Sequence, residues 1–139
     1  TNIEFKRLAR RVQVGRITVV APLGESVEEQ QPHNVNADEV ASAIASSMRA
    51  EKFVLLTDVP GVLKDPKDPS TLYSTLTMAE VEQLKKDKII TGGMIPKVDA
   101  CMDALRGDVP KAHIIDARQE HALLLEIFTA KGIGTEIIH

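Results

Sequence analysis

Four positions in this sequence have the residue types that handle charged oxygen: Asn34, Asp38, Asp58 and Lys97. An amide donates to a carboxylate, a carboxylate orients a lysine, and a lysine neutralises an anion. Lys97 has the most telling surroundings. It follows Thr91-Gly92-Gly93-Met94-Ile95-Pro96, and the run beyond it carries Met94, Val98, Cys101, Met102 and Leu105 at helical spacing. The two glycines let backbone come close to a ligand. Pro96 suits the first turn of a helix, where its missing N–H costs nothing. A glycine loop that opens a helix offers free N–H groups and the positive end of the helix dipole, and Lys97 adds a full charge. That is the chemistry of a phosphate site. It is not a P-loop, because the spacing Gly-x-x-x-x-Gly-Lys-Ser/Thr is absent. The same residues read equally as a flexible turn before an amphipathic helix with a solvated lysine. The other three also have plain roles open to them: Asn34 and Asn36 as helix caps, Asp38 as a dipole partner, Asp58 as a turn former.

An alternation of strands and helices must bring these positions together. Residues 3–12 read as a short basic helix ended by Gly15, and residues 17–21 as a β-branched strand buried on both faces. Residues 25–32 are polar and read as a flap. Asn36 caps a helix through Val40, Ala41, Ile44, Ala45 and Met48. Residues 52–57 form a second buried strand that ends at Asp58, then a charged turn, and then a short strand at 72–76. Thr77-Met78-Ala79-Glu80 is a capping box opening the next helix. The Lys97 helix closes near Gly107. A third buried strand at 112–116, an apolar helix at 120–128 and a last strand at 136–138 complete the chain. Strand, helix, strand in this order predicts an α/β fold with a mainly parallel sheet. In such sheets ligands sit at the carboxyl ends of the strands, where Asp58 falls.

The bulk numbers narrow the function. At 139 residues, the chain is long enough for one domain with a real core. A net charge of −3 and 3% aromatic residues argue against a nucleic-acid surface. No apolar run is long enough to span a membrane. The start of the chain lacks the apolar centre of a signal peptide. It also lacks an initiator Met, which reads as a processed or excised piece. The single cysteine, Cys101, precludes an internal disulfide and fits a reducing, cytoplasmic compartment. Its place on an apolar face reads as core. His33, His113, His121 and His139 fall into no metal-ligand spacing, so no protein metal site is expected. No Gly-x-Ser-x-Gly elbow exists. His113 heads a buried strand and reads as structural.

Asn34-Val35-Asn36-Ala37-Asp38, Leu55-Leu56-Thr57-Asp58-Val59-Pro60-Gly61-Val62-Leu63, Gly92-Gly93-Met94-Ile95-Pro96-Lys97 and His121-Ala122-Leu123-Leu124-Leu125-Glu126 resemble, in this order, the acetylglutamate kinases of the amino acid kinase family. The similarity runs over about residues 19–138. The resemblance implies a three-layer α/β sandwich. It implies transfer of the γ-phosphoryl group of MgATP to the γ-carboxylate of N-acetyl-L-glutamate, in arginine biosynthesis, by a homo-oligomeric enzyme. It implies that Asn34 binds the acetylglutamate, that Asp38 organises catalytic lysines and that Lys97 stabilises the transferring phosphoryl group. Thr57 and Asp58 then fall at the nucleoside, and Gly93 and Met94 near the nucleotide. His121, Glu126 and Gly132 match the signature of arginine-inhibited members, with Glu126 as acceptor of a guanidinium.

The resemblance is incomplete. The family also has an amino-terminal half with a glycine-rich loop, a second catalytic lysine and an arginine for the substrate's α-carboxylate. Nothing here matches them, so residues 1–139 read as a single domain, the carboxy-terminal nucleotide-binding lobe. A stand-alone nucleotide-binding or regulatory module without catalysis is the competing function. A purely structural interaction domain is a third, disfavoured by the retained polar motifs.

Overall fold

A computed structural model describes residues 5–26, 31–129 and 132–139. Helix α1 (Phe5–Gln13) is followed by a two-stranded hairpin of β1 (Leu23–Glu25) and β2 (Pro32–Asn34). Then come α2 (Ala37–Ser47), β3 (Phe53–Thr57), β4 (Thr75–Thr77), α3 (Met78–Lys86), α4 (Met94–Arg106), β5 (Ala112–Asp116), α5 (Ala122–Phe128) and β6 (Thr135–Ile138). A 3-10 turn, Pro69–Thr71, precedes β4.

The main sheet has the strand order β3-β5-β6-β4. The β3–β5 and β4–β6 pairs are parallel and β5–β6 is antiparallel, so the sheet is mixed but mostly parallel. The pleat sorts side chains onto two faces. Phe53 and Leu55 stand beside Ala112 and Ile114, and this face packs against α4 to form the core. Val54 and Leu56 stand beside His113 and Ile115 on the opposite face, where α5 is tied down by its Glu126 to His113. With α2, α3 and α4 on one side and α5 on the other, the architecture has the three layers that the sequence implied.

The centre of the core is α4. Its Val98, Cys101, Met102, Ala104 and Leu105 are almost fully buried. Helix α2 lies along α4 and presents Ser42 and Ala45 to it. Small side chains allow that close approach. At Gly107, which caps the end of α4, a Cβ would collide with Ser46. Local signals set the helix starts as expected. The Asn36 side chain accepts from the Asp38 and Glu39 N–H groups at the start of α2, and Thr77 and Glu80 form a capping box on α3.

Residues 17–21 are not a buried strand. They pair with no strand among the described residues, and Ile17 and Val19 are 97% and 94% exposed. A β-branched run becomes a strand only where a ladder partner stands beside it. The strand here begins at Leu23, where Asn34 is opposite. Likewise β3 is an edge strand, buried on alternate residues only. In α1 no residue is fully buried. Ile3 and the centre of the expected flap, residues 27–30, lie outside the described residues; the flap's two sides are β1 and β2.

Candidate functional site

Three elements converge on Lys97: the turn into α4, the start of α2 and the turn after β3. The Lys97 Nζ lies 3.3 Å from Asp38 Oδ2, across 59 residues of sequence. Both side chains are about three-quarters covered, at 27% and 25% exposure. Asp38 can be there because Asn36 pins the first turn of α2 through the Asp38 and Glu39 N–H groups, at 2.9 and 3.3 Å. Lys97 can be there because Val98 and Cys101 anchor α4 in the core. A second pair, Lys85 Nζ to Asp99 Oδ1 at 2.6 Å, ties α3 to the same turn of α4. The Asp99 carboxylate raises the Lys85 pKa by holding its charged form.

The loop that opens α4 supplies bare backbone. Gly92 adopts a φ of +54°, which glycine tolerates, and a Cβ on Gly92 or Gly93 would meet nothing within 4 Å. The Met94 and Ile95 N–H groups are used within the turn, on the Thr91 and Gly92 carbonyls at 3.2 Å each. Pro96 has none. The Gly92 and Gly93 N–H groups donate to no acceptor among the described residues. No side chain caps α4. The positive end of this helix therefore faces an open volume beside an ammonium group.

That volume is a cleft of about 350 Å³, lined by Asp58, Gly93, Met94 and Lys97 and walled by apolar residues such as Leu63 and Ile90. A size of several hundred Å³ with few polar groups in an apolar lining is usual for a small-molecule site. The cleft thus gathers Asp58, Gly93, Met94 and Lys97, with Asp38 at its lysine.

Thr57 and Asn34 stand apart from it. The Thr57 hydroxyl is occupied with Val59, accepting from its N–H at 3.0 Å and donating to its carbonyl at 2.9 Å. It shapes the turn that carries Asp58. Asn34 is exposed on β2, opposite Leu23.

The sequence did not reveal the cleft's apolar walls. Pro66 belongs to a stretch read only as a charged turn, Leu63 ends a motif valued for its Thr57 and Asp58, and Ile89 and Ile90 were assigned to no element. Arg118 was also missed. Its guanidinium grips Asp116, with Nε to Oδ1 at 2.9 Å and Nη2 to Oδ2 at 2.7 Å, and lowers that carboxyl's pKa to about 2. Asp116 stands beside Thr57 in the β3–β5 register, so this fork stiffens the carboxyl end of the sheet.

Cys101 lies one helical turn beyond Lys97. Burial, reinforced by the Asp38 charge, pushes its thiol pKa up to about 12, so it is inert core. Among the described residues no group of three or more His, Cys, Asp or Glu could hold a metal ion. None of the described helices is long and apolar enough to cross a membrane.

His121, Glu126 and Gly132 are differently disposed. Glu126 is buried with both oxygens engaged, Oε1 at 2.6 Å from His113 Nδ1 and Oε2 accepting from the Ile133 N–H at 2.7 Å. A Cβ on Gly132 would sit 2.8 Å from Glu126 Oε2, so glycine is what lets the chain close over this carboxylate. His121 is exposed at the head of α5, with Nε2 3.4 Å from Glu120. His113, expected to be satisfied, is so at Nδ1 only; its buried Nε2 has no partner among the described residues.

Known proteins are similar to this chain in sequence and in fold. The sequence profile of a family described as "Amino acid kinase family" matches residues 1–116. The acetylglutamate kinase of Syntrophomonas wolfei subsp. wolfei is 52% identical over 128 residues, which is 92% of this chain and 44% of that protein. The chain spans about half the length of the curated relatives it matches. Among solved structures, N-acetylglutamate synthase from Neisseria gonorrhoeae, complexed with coenzyme A and L-arginine, superposes with a TM-score of 0.88 at 29% identity. The match covers 99% of this chain and 31% of that one. Carbamate kinase from Giardia lamblia, bound to AMP-PNP, shares the fold at a TM-score of 0.59 and 22% identity, over 84% of this chain and 36% of that one.

Proposed function

The chain belongs to the amino acid kinase family, and from that premise we propose that it forms the phosphate-handling side of an acetylglutamate kinase. The reaction is transfer of the ATP γ-phosphoryl group to the γ-carboxylate of N-acetyl-L-glutamate, as in arginine biosynthesis, and its setting is the cytoplasm. The names of the relatives support the substrate. The observation that carries the reading is the Lys97–Asp38 pair at the mouth of a cleft into which an uncapped helix points.

The roles follow from charge and position. Phosphoryl transfer spreads negative charge over the oxygens of the moving group, and catalysis is mostly positioning and neutralisation. Lys97 meets that charge. Asp38 holds the ammonium in place, so that no reorientation is needed when charge develops. The Gly92 and Gly93 N–H groups take phosphate oxygens, with Met94 beside them. Asp58, on the turn that Thr57 shapes, takes the nucleoside. Asn34 takes the acetylglutamate from the hairpin side. A magnesium ion carried by the nucleotide would neutralise its phosphates in the cleft that Asp58 and Lys97 line.

L-arginine is a weaker part of the proposal. A guanidinium at Glu126 must displace either His113 or the Ile133 N–H, both now bonded at 2.7 Å or less. Arginine binding to this chain is therefore expected to be weak.

One wall of the site is accounted for. Among the described residues, the cleft's lining holds no arginine for the acceptor's α-carboxylate and no lysine besides Lys97. Loss of one preorganised donor typically costs about 10²–10³-fold in rate. Purified chain is expected to show no robust acetylglutamate-dependent ADP release, alone or as Lys97→Ala. Robust turnover abolished by Lys97→Ala would mean that this chain builds a complete site.

A further inference from the structure

One wall of the cleft has no regular element of its own. Asp58, Val59, Gly61, Val62 and Leu63 line it, and they lie between β3 and β4 outside helix and strand. The facing wall is better supported. Ile89 and Ile90 donate their N–H groups to the Leu84 carbonyl of α3, at 3.0 and 3.2 Å, and Met94 and Lys97 belong to α4. The 58–63 wall runs instead beside residues 71–73 as a short antiparallel ribbon, bridged at Leu63 and Leu72. The Lys64 N–H donates to the Thr71 carbonyl at 3.1 Å, and the Tyr73 N–H to the Val62 carbonyl at 2.9 Å. In a regular ladder Val62 and Tyr73 would exchange both bonds, and the Val62 N–H would donate to the Tyr73 carbonyl. Here the Thr135 hydroxyl stands between those two groups. It accepts from the Val62 N–H at 2.8 Å and donates to the Tyr73 carbonyl at 2.7 Å.

Thr135 is well placed to act as a fixed post. It is fully buried, it opens β6, and it stands beside Ile114 in the β5–β6 register. Its β-branched side chain has few rotamers open to it. A Cβ on Gly61 would stand 2.5 Å from Thr135 Oγ1, so glycine is what lets the wall come this close. Thr135 itself does not line the cleft, whereas Val62 does. We propose that Thr135 is a positioning residue of the cleft: through the inserted hydroxyl, the sheet sets where the 58–63 wall stands relative to Lys97, and so how well the site takes a nucleotide. The proposal deepens the reading of the cleft as a nucleotide site and rests on it. Without the hydroxyl, the Val62 N–H and the Tyr73 carbonyl are buried and unpaired, which is costly. They satisfy each other only by closing the ribbon, which moves Val62. A ligand that touches both walls must then reverse that movement, and its affinity falls.

Thr135→Val removes the hydroxyl at nearly constant volume, and Thr135→Ser keeps it. Two quantities are read by NMR on the isotope-labelled chain: Overhauser contacts between Val62 and Tyr73, and MgATP affinity from titration of the Gly93 amide. Urea unfolding gives the stability of each variant. Thr135→Val is expected to strengthen the Val62–Tyr73 contacts and to weaken MgATP binding about ten-fold, the loss of one buried hydrogen bond. Thr135→Ser should keep the parent's contacts and bind within about three-fold of it, because the same bonds are made. If Thr135→Val does not fold, Thr135→Cys replaces it, since a thiol is only a weak donor and acceptor. Lower stability with unchanged affinity would make Thr135 purely structural and overturn the proposal. Unmoved Val62–Tyr73 contacts, or a serine variant as weak as the valine one, would overturn it too. Each of these leaves the Lys97 site standing, because Lys97→Ala is titrated beside them and still weakens binding. A parent chain that takes no MgATP overturns both readings.

Discussion

Helix α4 and residues 5–23 contain similar proportions of apolar side chains but treat them in opposite ways. In α4, Val98, Cys101, Met102, Ala104 and Leu105 disappear into the core, and the polar residues between them find partners: Lys97 with Asp38, Asp99 with Lys85, Arg106 with Asp103. In residues 5–23 no side chain is fully buried. The difference lies in what surrounds each segment rather than in intrinsic propensity. Helix α4 has sheet beneath it and α2 and α3 beside it, whereas residues 17–20 have α2 and β3 on one side and open space on the other. The catalytic proposal is placed on the first region because a group that must be held in position needs a rigid support.

The largest expected difference between the regions is in stability. Leu105→Ala should lower the free energy of urea unfolding by about 2–5 kcal/mol, as for other buried leucines. Ile17→Ala should change it by no more than about 0.5 kcal/mol, as for an exposed site. Comparable losses at the two positions would mean that residues 17–20 are packed in solution and that the contrast is false.

This contrast also separates what the sequence made legible from what it did not. Local signals read correctly: Asn36 as a cap, Thr77 with Glu80 as a capping box, Gly107 as the end of α4. Each depends on residues within one turn. The meeting of Asp38 and Lys97 was legible from chemistry, since a lysine for phosphate needs a carboxylate to orient it. Residues 17–21 were misread because β-branching reports fitness for a strand and not the presence of a neighbour. The resemblance placed Glu126 at an arginine site; that its carboxylate turns inward was not legible, because its partner His113 lies on another element and an apolar helix gives no sign of it. The walls of the cleft were not legible at all, because Leu63, Ile89 and Ile90 look like any other apolar residues until the fold places them around a void.

A smaller effect sharpens the comparison at the carboxyl end of the sheet, which links the two regions through β3 and β5. Asp116 is held at a pKa of about 2 by Arg118, below its ordinary 3.8. A carboxyl whose folded pKa is depressed contributes stability above its unfolded pKa and loses it as pH falls toward the folded value. Because Arg118 is exposed, solvent screening keeps the contribution small. Arg118→Ala should therefore be slightly less stable than the parent at pH 7. The difference should shrink between about pH 4 and pH 2 and vanish below. A difference independent of pH would assign Arg118 to packing instead.

The central claim, that the opening of α4 with Lys97 and Asp38 is a phosphate site, is tested most directly by titrating the isotope-labelled chain with MgATP and following its backbone amides by NMR. The account predicts that the Gly92 and Gly93 amides shift first and most, with smaller shifts at Asp58 and Asp38. It also predicts that Lys97→Ala weakens the titration by about ten-fold or more, the loss of one charge-assisted contact. Amide shifts confined to α5 or to residues 5–23, or a titration unchanged by Lys97→Ala, would contradict it.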